Sequence, residues 1–154
     1  MADLSKLVSV IQIEGVRLCE GSCRSFVRPS ASEEDLKVKV AYSTTVARQD
    51  NSLLVKADFN LKGHTDTDEE RLLVEMRCVF ELSYQLSSNA DFSIEELEEF
   101  GQVNAIFNAW PYWREYVQTS LARMSMPIVT VPVFRVLPRP AAKSRVSRRP
   151  KELN

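Results

Sequence analysis

The sequence predicts an α+β fold: a four-stranded antiparallel sheet with a long, proline-interrupted helix on one face. Three observations carry this. Three consecutive stretches alternate apolar and polar residues with period two. An apolar-rich stretch precedes them, and after Leu86 the apolar spacing lengthens to three and four. The chain has 154 residues, 44% apolar and 27% charged, the balance of one globular domain. That domain is expected over residues 1–138, with a disordered basic tail at 139–154.

The first strand is expected from about Lys6 to Leu18. Leu7, Ile11 and Ile13 form one frame and Val8, Val10 and Val16 the other, so this strand reads as covered on both sides, with Gly15 at a bulge or bend. Cys23 to Asp35, with Pro29, Ser30 and Ser32, reads as a crossover. The meander follows. Leu36, Val38, Val40, Tyr42, Thr44 and Val46 alternate with polar residues, as do Leu53, Val55, Ala57, Phe59 and Leu61. The third stretch is Leu72, Val74, Met76, Cys78, Phe80, Leu82, Tyr84 and Leu86. Such alternation describes antiparallel strands with one dry and one wet face. Turn-rich segments at Arg48–Ser52 and Gly63–Asp68 are short enough to join neighbours directly.

Ser93, followed three residues later by Glu96, caps an acidic helix Ile94–Phe100 that Gly101 is expected to end. A second helix is expected from about Val103 to Met124. Its stripe is Val103, Ile106, Phe107, Trp110, Trp113, Val117, Leu121 and Met124. Pro111 should kink it or restart it, and Pro127 stops it. Ile128 to Val136 reads as extended.

Composition excludes several classes of function. No run approaches the roughly 18 apolar residues of a membrane span, and the N-terminus does not read as a secretory signal, so a cytoplasmic protein without membrane insertion is expected. Three cysteines are too few for a disulfide framework, and Cys19 and Cys23 lack a second pair to complete a zinc set. His64, the one histidine, sits in a turn. Counted from Asp66 as a calcium loop, the sixth and twelfth positions are Arg71 and Arg77 rather than glycine and glutamate. The chain has four glycines and no glycine-rich phosphate loop. Glu95, Glu96, Glu98 and Glu99 read as a wet helix face. No catalytic residue, cofactor or metal site is expected, and the reading moves towards a binding protein.

The net charge of −1 conceals an asymmetry. From Arg135 onward stand seven of the 20 basic residues and one of the 21 acids, leaving a body of about −7 and a tail of about +6. That tail could associate with nucleic acid through phosphates, but it lacks interleaved aromatics and would bind weakly.

The most specific stretch is Phe107–Asn108–Ala109–Trp110–Pro111–Tyr112–Trp113–Arg114–Glu115–Tyr116–Val117, continuing to Arg123–Met124–Ser125–Met126–Pro127. It resembles the SecB family of protein-export chaperones, which carry a Pro-Tyr-x-Arg-Glu element in the long helix, then a hydroxyl-rich turn, an arginine and a proline-bearing segment. The likeness covers about Val8 to Leu137, and the order of strands and helices matches. The short acidic helix and the segment after Pro127 look more like the divergent SecB-like proteins, some of which accompany toxin–antitoxin pairs and protect the antitoxin. The resemblance implies a homotetramer without catalytic residues, holding unfolded clients in apolar grooves. It departs after Phe134, where Pro138 and Pro140 oppose a second helix and the tail is basic rather than acidic. Docking to the export motor is therefore not expected.

The function expected is an ATP-independent holdase for unfolded polypeptides such as secretory precursors or an antitoxin. The alternative is a SecB-like adaptor that binds one folded protein partner. A holdase needs apolar surface that survives folding and open backbone groups beside it. Phe26 and Val27 in the crossover, Tyr42 on the second strand, and Ile128, Val131 and Phe134 after the helix are the candidate client-binding residues. Val10 and Ile11 of the first strand, with Trp110, Trp113, Val117 and Leu121 of the helix, are the candidates for a subunit interface. Glu115, in the first turn of a restarted helix, would suit the dipole. Arg114 would not, and is expected to have a carboxylate or carbonyl partner.

Overall fold

The computed structural model describes residues 4–26, 36–65, 69–87 and 91–135, so Val27, the rest of the expected crossover and the basic tail at 139–154 lie outside the described residues. The elements are α1 (Ser5–Val10), β1 (Ile11–Ser25), β2 (Leu36–Gln49), β3 (Ser52–Thr65), β4 (Leu72–Leu86), α2 (Ile94–Phe100), a π-helical turn Gly101–Ala105, and α3 (Ile106–Arg123). The strands form one antiparallel sheet in the order β1-β4-β3-β2, the sheet-and-helix architecture that the periodicity predicts.

The meander follows from its alternation. Leu53, Val55, Ala57, Phe59 and Leu61 of β3 are wholly buried, and register sets them opposite Tyr84, Leu82, Phe80, Cys78 and Met76 of β4. A slip of one residue would turn this whole set to the other face, so burial itself fixes the register. The intervening residues build an outer face of ion pairs. Arg77 reaches Asp58 on one neighbouring strand at 2.6 Å and Glu20 on the other at 3.0 Å, and Arg17 reaches Glu81 at 2.7 Å. At the β2–β3 turn Asp50 adopts φ 51°, a left-handed conformation that a short polar side chain tolerates, and Arg48 Nε donates to its carbonyl at 3.0 Å.

The first segment corrects the expectation. Lys6–Val10 is helical rather than extended, with Leu7 buried, and the strand begins at Ile11 and runs to Ser25, taking residues expected in the crossover. It is not apolar on both faces. Irregularities between Ile13 and Gly15 and between Leu18 and Glu20 each add one residue to β1, which brings Ile13, Val16 and Leu18 onto one face, opposite Tyr84, Leu82 and Phe80. Arg17, Glu20 and Ser22 take the ion-paired face.

The helical layer is more continuous than expected. The Ser93 cap forms as read: the Glu96 amide donates to Ser93 Oγ at 3.2 Å, and the Ser93 amide donates to the Glu96 carboxylate at 2.8 Å. Gly101 does not end the helix. It keeps right-handed helical angles (φ −57°, ψ −48°), and the chain continues through the π turn into α3. The reason is a close approach: a Cβ at Gly101 would stand 2.9 Å from Val46 Cγ2 and 3.3 Å from Thr44 Oγ1, so glycine lets the helical layer touch β2. Pro111 lies inside α3 on its exposed side and does not restart it, which leaves Glu115 in mid-helix, accepting from Thr119 Oγ1 at 2.8 Å. The dipole argument for Glu115 lapses with the restart.

The helix ends after Arg123 in a 6→1, 5→2 pattern. The Met126 amide donates to the Leu121 carbonyl at 3.0 Å and the Ser125 amide to the Ala122 carbonyl at 3.1 Å, with Ser125 at φ 54°. Residues 125–135 then return as an irregular strap rather than a strand.

Candidate functional site

Where the strap meets the sheet, it builds one wall of a cavity of about 500 Å³. The other walls are Tyr42, Ser43 and Thr44 of β2, and Gln102 and Val103 of the π turn, with Phe134 on the strap side. Two donors of α3 place the strap. Trp110 Nε1 donates to the Pro132 carbonyl at 2.7 Å, and one turn later Arg114 Nε donates to the Val131 carbonyl at 2.8 Å. Arg114 thus has the carbonyl partner expected of it.

The aromatic rings form a continuous array. Phe134 lies 5.1 Å from Trp110 and 6.1 Å from Tyr42, and Tyr42 meets Trp110 edge-on at 5.8 Å. Phe59, beneath them, stacks on Trp113 at 5.1 Å with an interplanar angle of 11°. The inner rings are closed off from water, yet Tyr42 remains 44% exposed and Val40, on the same face of β2, 37%. β2 is also an edge strand, and among the described residues it pairs with β3 alone, which leaves its outer backbone edge beside the cavity without a described strand partner. Among the described residues, the lining side chains include no carboxylate, imidazole or thiol. Apolar rings, hydroxyls, an amide and an open strand edge suit an extended polypeptide.

The structure separates the candidate client residues. Tyr42 and Phe134 come together at the cavity. Phe26, half-exposed beyond the end of β1 with Arg24 over its ring at 5.9 Å, and Ile128, exposed on the strap, are not among the residues that line it. Val131 is buried in the core and offers the site only its backbone. The proposed subunit contacts also divide. Trp113, Val117 and Leu121 are wholly buried within this one chain, and Trp110 nearly so, because the stripe at spacing three and four is consumed by β3 and β4. Val10 and Ile11 are part-buried against the same core. Exposed apolar side chains among the described residues instead include Phe107 and Tyr112 on α3, with Ile13 and Leu18 on β1.

Sequence reasoning missed Ser43, Thr44, Gln102 and Val103 as lining residues. The first two are small polar residues in an ordinary strand pattern, and Gln102–Val103 follow a glycine that reads as a helix stop. Elsewhere, burial pushes the Cys78 thiol and the Tyr84 phenol up to about 12, although a hydrogen bond from Asn108 to Tyr84 opposes the latter shift. Among the described residues, no group of three or more histidine, cysteine, aspartate or glutamate side chains could hold a metal ion, and no helix is long and apolar enough to cross a membrane.

No family model matches the sequence, and no curated protein matches it. Among solved structures, the chain superposes on the SecB-like chaperone Rv1957 of Mycobacterium tuberculosis, in complex with a ChAD peptide from the HigA1 antitoxin. The TM-score is 0.75 with 20% identity, covering 88% of this chain and 96% of that one. A Streptococcus agalactiae protein of unknown function gives a TM-score of 0.37 with 13% identity over 79% of this chain and 96% of that one, too loose a match to support an argument. The first superposition shows that this chain has the SecB-like fold.

Proposed function

We propose that this chain is an ATP-independent chaperone that holds unfolded or partly folded polypeptides in extended form, a secretory precursor or an antitoxin among them. The observation that carries the proposal is the aromatic cavity at the edge of β2, where Tyr42 stays half-exposed beside backbone that no strand among the described residues covers. An extended client would pair its backbone with the edge and set alternate side chains against Tyr42, Val40 and Val103. That a protein of the same fold binds a peptide from an antitoxin supports a protein client here. The opposite face of the sheet carries the ion pairs of Arg17 with Glu81 and Arg77 with Asp58.

The working form is a cytoplasmic homotetramer. Phe107, Tyr112, Ile13 and Leu18 would lie between copies, in place of the helix residues that the core absorbs.

The test is suppression of aggregation of a chemically unfolded protein, with and without ATP, alongside titration of an extended peptide. Suppression indifferent to ATP, with saturable peptide binding, supports the holdase. Binding only to one folded protein, with no suppression, would turn the assignment to the SecB-like adaptor. Light scattering that gives a 17.5 kDa particle at micromolar concentration would refute the tetramer.

A further inference from the structure

Resting on that reading, we infer that Phe134 is an intramolecular plug: its ring occupies the seat against Tyr42 and Trp110 that an aromatic or large aliphatic client side chain takes, and a client enters by displacing it.

The seat is built from regular structure. Tyr42 belongs to β2 and Trp110 to α3, and Phe59 and Trp113 support them from below. The occupant is not. Phe134 lies on the irregular strap, and the side-chain donors from α3 pin that strap at Val131 and Pro132, short of the ring. Phe134 is only part-buried and meets Tyr42 edge-on, an arrangement that an aromatic side chain from another chain would reproduce. A client ring would regain the same contacts, so exchange costs only the difference between two similar occupants. Room for the exchange exists, because Phe134 also forms a wall of the 500 Å³ cavity, and that cavity opens beside the β2 edge.

A plug that competes with the client lowers apparent affinity by the fraction of time the seat is open. A seat closed about nine-tenths of the time would weaken binding about tenfold. The probe is a fluorescein-labelled peptide alternating tyrosine and leucine with serine, followed by anisotropy against the full chain. Phe134→Ala should tighten its binding several-fold. Independently, 4-fluorophenylalanine at position 134 should show its ¹⁹F resonance moving towards the solvent-exposed value as peptide saturates, a readout that keeps the native ring in place. A resonance that stays put at saturation, or unchanged or weaker binding by Phe134→Ala, overturns the plug and leaves the groove as the client site. Failure of both proteins to bind any peptide overturns the chaperone reading together with the plug.

Discussion

Arg114 Nε donates to the carbonyl of Val131 at 2.8 Å, tying the third turn of α3 to the chain that returns over it. Trp110, one turn earlier on the same side of the helix, does the same to Pro132 at 2.7 Å. Two donors four residues apart hold two successive carbonyls, and this sets where Phe134 meets Tyr42. The arginine of the Pro-Tyr-x-Arg-Glu element acts here as a latch on the strap.

Arg114→Ala leaves the Val131 carbonyl without its charged donor. A hydrogen bond of this kind contributes about 1.5–3 kcal/mol, and stability should fall by about that amount. Arg114→Lys should recover part of it at most, since an ammonium lacks the planar fork that presents Nε. Urea unfolding at constant slope measures both. An Arg114→Ala protein of full stability that had lost client binding would make the arginine a client contact instead.

Ser125 closes α3 with φ 54°, where an L side chain is strained and glycine is not. Its amide donates to Ala122 and its neighbour's to Leu121, so the backbone is fixed from both sides. Ser125→Gly should therefore stabilise the fold by about 1 kcal/mol, since the side chain is exposed and loses no packing. A lower denaturation midpoint for Ser125→Gly would show that the serine itself stabilises the turn.

Burial holds the Cys78 thiol and the Tyr84 phenol protonated to about pH 12, against ordinary values of 9.0 and 10.0. Above those ordinary values the unfolded chain releases protons that the folded chain retains, so the unfolded state gains as pH rises. The stability held below about pH 9 should be lost progressively between pH 9 and 12. Cys78→Ala should delay the onset towards pH 10, where the tyrosine contribution begins. Melting temperatures across that range decide the matter, and an unchanged onset in Cys78→Ala would remove the thiol from the account. Cys19 and Cys23, both exposed, should react with a thiol reagent in the native protein while Cys78 waits for unfolding.

The meander was legible because its alternation is enforced by one dry face: a residue such as Phe59 or Leu82 has nowhere else to go. The first strand was misread because period-two counting fails at a bulge, and β1 has two within eight residues of one another. Once Glu14 and Cys19 are taken out of the count, Val16 joins Ile13 and the second apolar face disappears. Gly101 misled for a related reason. Glycine after a short helix usually marks its end, but here the missing Cβ serves a contact with Val46 on a strand more than 50 residues away, which no local pattern announces. Two residues of the cavity lining, Tyr42 and Phe134, were legible as candidates. Tyr42 stands out as an aromatic in the second strand pattern, whereas Gln102 and Val103, in the π turn, follow a glycine that reads as a helix stop. The helix stripe that looked like an interface was core, since a stripe at spacing three and four records that a face is covered and does not say by which chain.

The site assignment yields the last prediction. Tyr42 is 44% exposed, meets Phe134 and Trp110 edge-on and Phe59 at a tilt, so a substitution there alters the cavity more than the core. Tyr42→Asp puts a carboxylate against three aromatic rings at the point where client side chains would settle, and the charge must be desolvated whenever a client covers it. Aggregation suppression should drop at least about tenfold in potency, equivalent to about 1.4 kcal/mol of binding, while the protein stays folded. Val131→Asp is the contrasting case. Val131 is 4% exposed, so a charge there is buried in every state of the folded chain and should unfold the protein rather than merely silence it. Lys56→Gln, on the ion-paired face of the sheet, should do neither. Circular dichroism beside the aggregation assay separates the three. Were Tyr42→Asp to suppress aggregation as well as the parent chain, the cavity at the β2 edge would not be where clients bind, and the open surface of Phe107 and Tyr112 would become the place to look.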